Sequence, residues 1–266
     1  MYKGIVLYCS HALPVILLSL PSCRIMSEGG SRGDVAMRAD ANVHRPGVTP
    51  EEMAAGYDEW SENYEEMMIW KGGYRGPAIT LEVALRCVPL ERRAKARVLE
   101  VAAGTGCVGS ELHREDFSHS HWHIDAVDPS EGMMKQRETG IYTNDFLEFI
   151  GSGHSTVPKD TYDLVVISGG MGESHIPLSG LDDLVRVAKN GSFVIIVMRH
   201  EFLQTVPSYK DKLEPYMDQL EADGKWKKVV STVARLSYSE HSIYRFLTPN
   251  YCQETSGINY FNDRYK

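Results

Sequence analysis

Cysteine is sparse and unpaired in this chain. Five residues (Cys9, Cys23, Cys87, Cys107 and Cys252) are scattered along 266 positions, and no two of them form C-x-x-C. That spacing argues against a zinc site and against a disulfide framework, and it fits reduced thiols. Positive charge is also short. A formal net charge of −8 argues against a general nucleic-acid binder. No apolar run is long enough for a stable membrane span, which needs roughly 20 residues. Internal repeats and an internal linker are missing too, so the ordered part reads as one domain. What remains is ordinary for a globular protein: 42% apolar and 24% charged residues.

The amino terminus departs from that pattern. Gly4 to Pro21 is largely apolar, follows Lys3 and contains His11 and Pro14. It resembles a signal-peptide core, but no A-x-A-like cleavage site follows. Ser27 to Pro46 is polar and rich in Gly, Arg, Asp and Ala. Three readings stand: a secretory signal, a short anchor, or an upstream extension with initiation at Met26. The third is preferred because everything downstream reads as cytoplasmic. Residues 1–45 are therefore expected to lie outside the fold, and 46–266 to form one domain with a helical cap over 49–90.

Order begins at Thr49-Pro50-Glu51-Glu52, where Thr49 can cap a helix, Pro50 suits its first turn and Glu52 can complete a capping box. Tyr57, Trp60, Tyr64 and Met68 then share one helical face, while acidic residues cover the others. After a glycine-containing loop, Pro77 opens a second helix with Ile79, Val83 and Cys87 inward. From Arg97 onward short apolar strands alternate with helices, which predicts a mostly parallel sheet covered on both faces. The strands are Val98–Val101, His123–Val127, Tyr142–Asn144, Tyr162–Ser168 and Ser192–Met198. Ser179 is placed as a helix cap, and Asn190-Gly191 as that helix's stop. Beyond an amphipathic helix over Pro207 to Ala222, the segments Trp226–Leu236 and Ser242–Leu247 read as a closing antiparallel hairpin.

Chemistry concentrates at Val98-Leu-Glu-Val-Ala-Ala-Gly-Thr-Gly-Cys-Val-Gly109. A strand that runs through a glycine turn into a helix start lets backbone N–H groups approach a ligand, and the helix terminus adds partial positive charge. Gly104, Gly106 and Gly109 fit G-x-G-x-x-G, and Asp128 stands where an acid binds a ribose in dinucleotide sites. Two cofactor classes fit: NAD, in an oxidoreductase, or an amino-acid-bearing nucleoside. Glu100 favours the second, since a carboxylate there can accept from an ammonium but repels a pyrophosphate. The register is then E-x-A-x-G-x-G, with Ala102 in the first glycine position and Gly109 left to helix packing.

Glu100–Gly106, Asp128 followed by Pro-Ser-Glu-Gly-Met133, and Tyr162-Asp-Leu-Val-Val stand in the order seen in class I S-adenosylmethionine-dependent methyltransferases, which this chain resembles from about Thr49 onward. Tyr57-Asp-Glu-Trp-Ser-Glu-Asn-Tyr64 followed by Gly73-Tyr-Arg-Gly-Pro77 is similar to the methyltransferase-like proteins of the Williams–Beuren syndrome chromosomal region. The resemblance implies a Rossmann-like, doubly wound sheet of seven strands with helices on both faces, an amino-terminal helical cap and a carboxy-terminal antiparallel hairpin. It implies S-adenosylmethionine as cofactor. Ala102, Gly104 and Gly106 would line the methionine part, Glu100 its ammonium, and Asp128 both ribose hydroxyls. Met133 would pack on the adenine, with Asp145 accepting from its amino group beside Phe146. Ser168 would lie near the sulfonium. Tyr57, Tyr64 and Arg75 would reach in from the cap, Arg75 toward the cofactor carboxylate. Asp145 also fits a turn, and Arg75 a surface ion pair.

The acceptor is expected to be a small molecule or a protein side chain. No Asn-Pro-Pro-Tyr signature follows Ser168, as the exocyclic amino group of a DNA base would favour, and no cysteine stands there for attack on a pyrimidine. His175 is the nearest candidate for a general base, needed only if the acceptor must lose a proton. A cofactor-binding protein without catalysis is a third reading. His119, His121 and His123 alternate but lack a carboxylate or thiol to complete a set, so no metal is expected.

Overall fold

The computed structural model describes residues 13–20, 38–117 and 124–233. Seven strands form one sheet: β1 (Leu13–Leu20), β2 (Val98–Val101), β3 (Ile124–Val127), β4 (Tyr142–Phe146), β5 (Tyr162–Ser168), β6 (Ala188–Arg199) and β7 (Trp226–Val233). Their order is β4-β3-β2-β5-β6-β1-β7, and every pairing is parallel. The chain passes from β2 to β3 on one side and returns to β5 on the other. The winding therefore reverses between β2 and β5, which opens a crevice at the carboxyl ends of those strands.

Strand alternation builds a separate core on each face. Leu99, Val101, Val165 and Ile167 point to one face, against Leu181 and Leu184 of the helix Gly180–Val187 and Met217 and Leu220 of the helix Leu213–Ala222. Val98, Leu164 and Val166 point to the other, against Ile79 and Val83 of the helix Gly76–Cys87 and Val108 and Leu112 of the helix Cys107–Arg114. No helix among the described residues is long and apolar enough to cross a membrane.

β1 corrects the expectation that residues 1–45 stand outside the fold. It lies between β6 and β7, with Val15 opposite Val194 and Leu17 opposite Ile196. Val15 and Leu17 enter the first core, and Ile16 and Leu18 the second. A strand inside a parallel sheet is covered on both faces and reads as a continuous apolar run. A signal-peptide core has the same composition, so hydropathy alone could not separate the two. Residues 38–43 are also helical, and Val43 is buried under the cap.

Other local expectations divide. Thr49 and Glu52 form the capping box, and Pro50 occupies the first turn of the helix Pro50–Trp60. Ser179 occupies the N-cap position of the helix Gly180–Val187 but makes no capping bond, because its hydroxyl donates to the Gly151 carbonyl. The helix that follows ends at Val187, and β6 already begins at Ala188, with a pairing irregularity opposite Tyr162–Leu164. The expected closing antiparallel hairpin is not found among the described residues, where β7 runs parallel to β1; Ser242–Leu247 lies outside them. His119, His121 and His123 fall outside them as well. No cluster of potential metal ligands occurs among the described residues.

Because β1 is an integral strand, truncating its enclosed Leu17 side chain must be costly. Leu17→Ala is expected to lower unfolding free energy by about 2–5 kcal/mol, the range for emptying a core leucine site. Urea titration of the full chain measures this, and an unchanged midpoint would place the segment outside the fold.

Candidate active site

The crevice is occupied by the turn that leaves β2. Ala102, Gly104 and Gly106 all have positive φ, at 53°, 53° and 82°. Glycine adopts such angles without strain; alanine at the first position does not. At Gly106 an added Cβ would stand 2.7 Å from the Tyr142 hydroxyl, so the close approach of β4 also requires glycine. Gly109 is hemmed in by Tyr142 and Glu100.

Two buried acids organise this turn. One Asp128 oxygen accepts from the Gly104 N–H and the other from the Ser130 N–H, both at 2.8 Å. Burial raises the Asp128 pKa, and those two N–H bonds and Arg137 oppose the rise. Glu100 accepts from the Gly109 N–H at 2.8 Å and from the Tyr142 hydroxyl at 2.6 Å. Burial pushes its pKa up to about 7 against those donors. Glu100 is thus committed to the start of the helix Cys107–Arg114 and does not line the crevice.

The crevice itself is a cavity of about 650 Å³. Ala102, Gly104, Asp128, Met133 and Ser168 line it from the sheet side, and Tyr57 and Tyr64 from the cap. Glu148, Phe149 and Ile150, beyond β4, also line it. The Ser168 hydroxyl is buried without a partner among the described residues.

Several expected residues are elsewhere. Asp145 is 58% exposed at its side chain and pairs with Arg137 at 2.5 Å. Phe146 packs against the first core, and Gly106 lies behind the cavity wall. Arg75 is exposed at the start of the helix Gly76–Cys87 and is not among the residues lining the crevice. β4 is an edge strand whose middle residues, Thr143 to Asp145, are exposed, and its side-chain register could not be read from an Asn-Asp pair.

The cap is tied to the turn through Asp58, which accepts from the Ser130 hydroxyl at 2.6 Å and the Gly132 N–H at 2.7 Å. Its helix gives way to a 3₁₀ turn at Ser61–Asn63 and a π-helical segment at Glu65–Lys71. The aromatic face survives these changes: Tyr64 meets Trp60 edge-on at 5.0 Å and Tyr57 at 6.3 Å.

A second cavity of about 550 Å³ shares Tyr57, Tyr64 and Gly169 with the first. Tyr74, Trp60, Phe202 and His44 supply further ring walls. Its charged residues, Asp40 and Arg199, neutralise each other through two hydrogen bonds of 2.9 and 3.0 Å. Sequence reasoning missed Asp40 and His44 because it set the leader aside; their i, i+4 spacing on a helix was the available signal. Arg199 and Phe202 carried none.

His175 lies between the cavities. Its Nδ1 is 2.6 Å from the Glu173 carbonyl, which can only accept, so the ring carries its proton there. Nε2 is therefore bare and accepts from the Tyr57 hydroxyl at 3.0 Å. The His175 and His44 rings stack at 4.6 Å. Burial lowers the His175 pKa to about 3, with His44 adding to the effect, and burial beside Arg199 lowers that of His44 to about 4.

These depressions fix a sign. Between pH 6.5 and about 4 the unfolded chain binds protons that the folded imidazoles refuse, so stability falls on acidification through that window. Going from about pH 7.5 to 5 is expected to cost about 2 kcal/mol per imidazole. His44→Phe, which keeps a ring against Phe202, should remove about half of this dependence. Denaturant titrations at the two pH values measure it.

Comparison with known proteins agrees with the architecture. The model of the ubiE/COQ5 methyltransferase family matches residues 83–250. The chain is 30% identical over 205 residues to methyltransferase-like protein 27 of Homo sapiens, covering 77% of this chain and 79% of that protein. It is 29% identical over 214 residues to the demethylmenaquinone methyltransferase of Clavibacter sepedonicus, covering 79% and 77%. Among solved structures, the complex of the Haloferax volcanii Trm112 methyltransferase activator with a methyltransferase aligns at a TM-score of 0.50 and 16% identity, over 73% of this chain and 87% of that one.

Proposed function

The chain belongs to the ubiE/COQ5 methyltransferase family, and on that footing we propose that the larger cavity holds S-adenosylmethionine and the smaller one the methyl acceptor. The observation that carries this reading is the pairing of Asp128 with the glycine turn at the wall of a cavity that Met133, Phe149 and Ile150 also line. Asp128 is already oriented by two N–H groups and keeps lone pairs for two ribose hydroxyls. Met133, Phe149 and Ile150 form a slot of the kind an adenine fills. The unpartnered Ser168 hydroxyl supplies a polar group at the end of β5, beside the second cavity. When bound, the cofactor supplies an electrophilic methyl group. The protein's work is to hold the acceptor in line with it and to exclude water, and good orientation is worth roughly 7–11 kcal/mol of barrier.

The walls of the second cavity speak to the acceptor. Ring faces predominate, and the one ion pair is internally satisfied. Such a chamber favours a flat, uncharged small molecule over a charged protein side chain, which would face an unfavourable desolvation. The name of the Clavibacter sepedonicus relative, a demethylmenaquinone methyltransferase, supports a small-molecule acceptor. Tyr57 gives its proton to His175, so its oxygen offers lone pairs to the cavities and can receive a donor group of the acceptor.

Calorimetry with S-adenosylhomocysteine and NAD tests the cofactor. Binding of the first and not the second is expected, and tight NAD binding without a response to S-adenosylhomocysteine would sink the proposal. Asp128→Asn, which sets an amide NH2 where one oxygen accepts from a backbone N–H, should weaken S-adenosylhomocysteine by about 10- to 100-fold, the loss of charge-assisted hydrogen bonds.

A further inference from the structure

Arg137 follows the helix Glu131–Lys135, and only 4% of its side chain is exposed. Its Nε donates to the Gly104 carbonyl at 3.1 Å, and Nη1 donates to Asp145 at 2.5 Å. Its guanidinium carbon lies 4.8 Å from the centre of the Tyr142 ring, whose hydroxyl in turn donates to Glu100. The Gly104 residue is therefore held at both ends: its N–H by Asp128 and its carbonyl by Arg137. We infer that Arg137 is a positioning residue for the cofactor, fixing the glycine turn through Gly104 and supplying the positive charge that the buried carboxylates of Asp128 and Glu100 face.

The surroundings explain why a cation belongs there. Asp128 is 7% exposed and Glu100 3%. Asp58 bears on Asp128 from the cap as further negative charge, and Tyr57, its phenol kept protonated by burial, adds none. Around Glu100 stand the Tyr142 hydroxyl, the backbone of Val108 and Gly109, and Cys107. Arg137 is the cation acting on both acids, and it holds each toward its ionised form. Only an ionised Asp128 can accept from the turn and from ligand hydroxyls together. Arginine also suits the geometry, because one planar fork reaches the Gly104 carbonyl and Asp145 at once.

This inference rests on the cofactor reading above, and its test keeps the two apart. S-adenosylhomocysteine binding is measured by calorimetry from about pH 5.5 to 8.5 for the wild type, Arg137→Gln, Arg137→Lys and Asp145→Asn. Arg137→Gln is expected to weaken binding about 10- to 100-fold and to move the pH at which affinity is half lost upward by about one unit. Arg137→Lys should restore that pH and recover only part of the affinity. Asp145→Asn loses one arm of the fork and keeps the charge, so a few-fold loss without the upward shift is expected; it also carries the test if Arg137→Gln fails to fold. Wild-type affinity in Arg137→Gln, or equal losses in all three variants with one shared pH profile, would overturn the inference. No binding by the wild type at any pH would instead overturn the cofactor reading, and this one with it.

Discussion

A carboxylate withdrawn from water must be met by donors, and the centre of this molecule is arranged around that requirement. Asp128 and Glu100 are both buried, and the backbone that satisfies them is the glycine turn and the helix start beyond it. The turn can offer its N–H groups only because its residues adopt positive φ. That in turn fixes where β2 ends and where the crevice opens. Asp58 ties the cap to the same knot through Ser130 and Gly132. The cavity inherits its shape from how these acids are satisfied.

Much of this was legible in the residues. Five sheet strands and their alternation with helices followed from apolar runs and turn residues, whereas the equally apolar β1 did not, because nothing local separates it from a signal-peptide core. The capping box at Thr49 followed from local chemistry that tertiary context did not override. Asp128, Met133, Ser168, Tyr57 and Tyr64 follow the sheet ends and the aromatic periodicity, and the structure brings them to one cavity. Glu100 is instructive in the other direction, because its visible partners are Gly109 and Tyr142. A strand-end acid reads as ligand-facing, but β4 brings Tyr142 close enough to claim it.

What was not legible depended on distant partners. Arg137 looks like one more basic residue at a helix end until Gly104, Asp145 and Tyr142 surround it. The second cavity draws Asp40 and His44 from a segment that composition assigned to a leader, Arg199 from the end of β6 and Phe202 from just beyond it. The paired histidines gain their meaning from stacking and burial, which no spacing rule encodes.

The seat of β1 has a consequence for how the chain reaches this state. Val15 precedes both of its sheet neighbours, Val194 and Lys228, by most of the length of the sheet's chain. During synthesis an apolar strand must therefore wait, exposed, while nearly the whole domain emerges behind it. Contacts so distant along the chain slow folding, and a waiting strand edge is open to wrong partners. The same segment that completes the sheet makes its assembly the step most dependent on protection from aggregation.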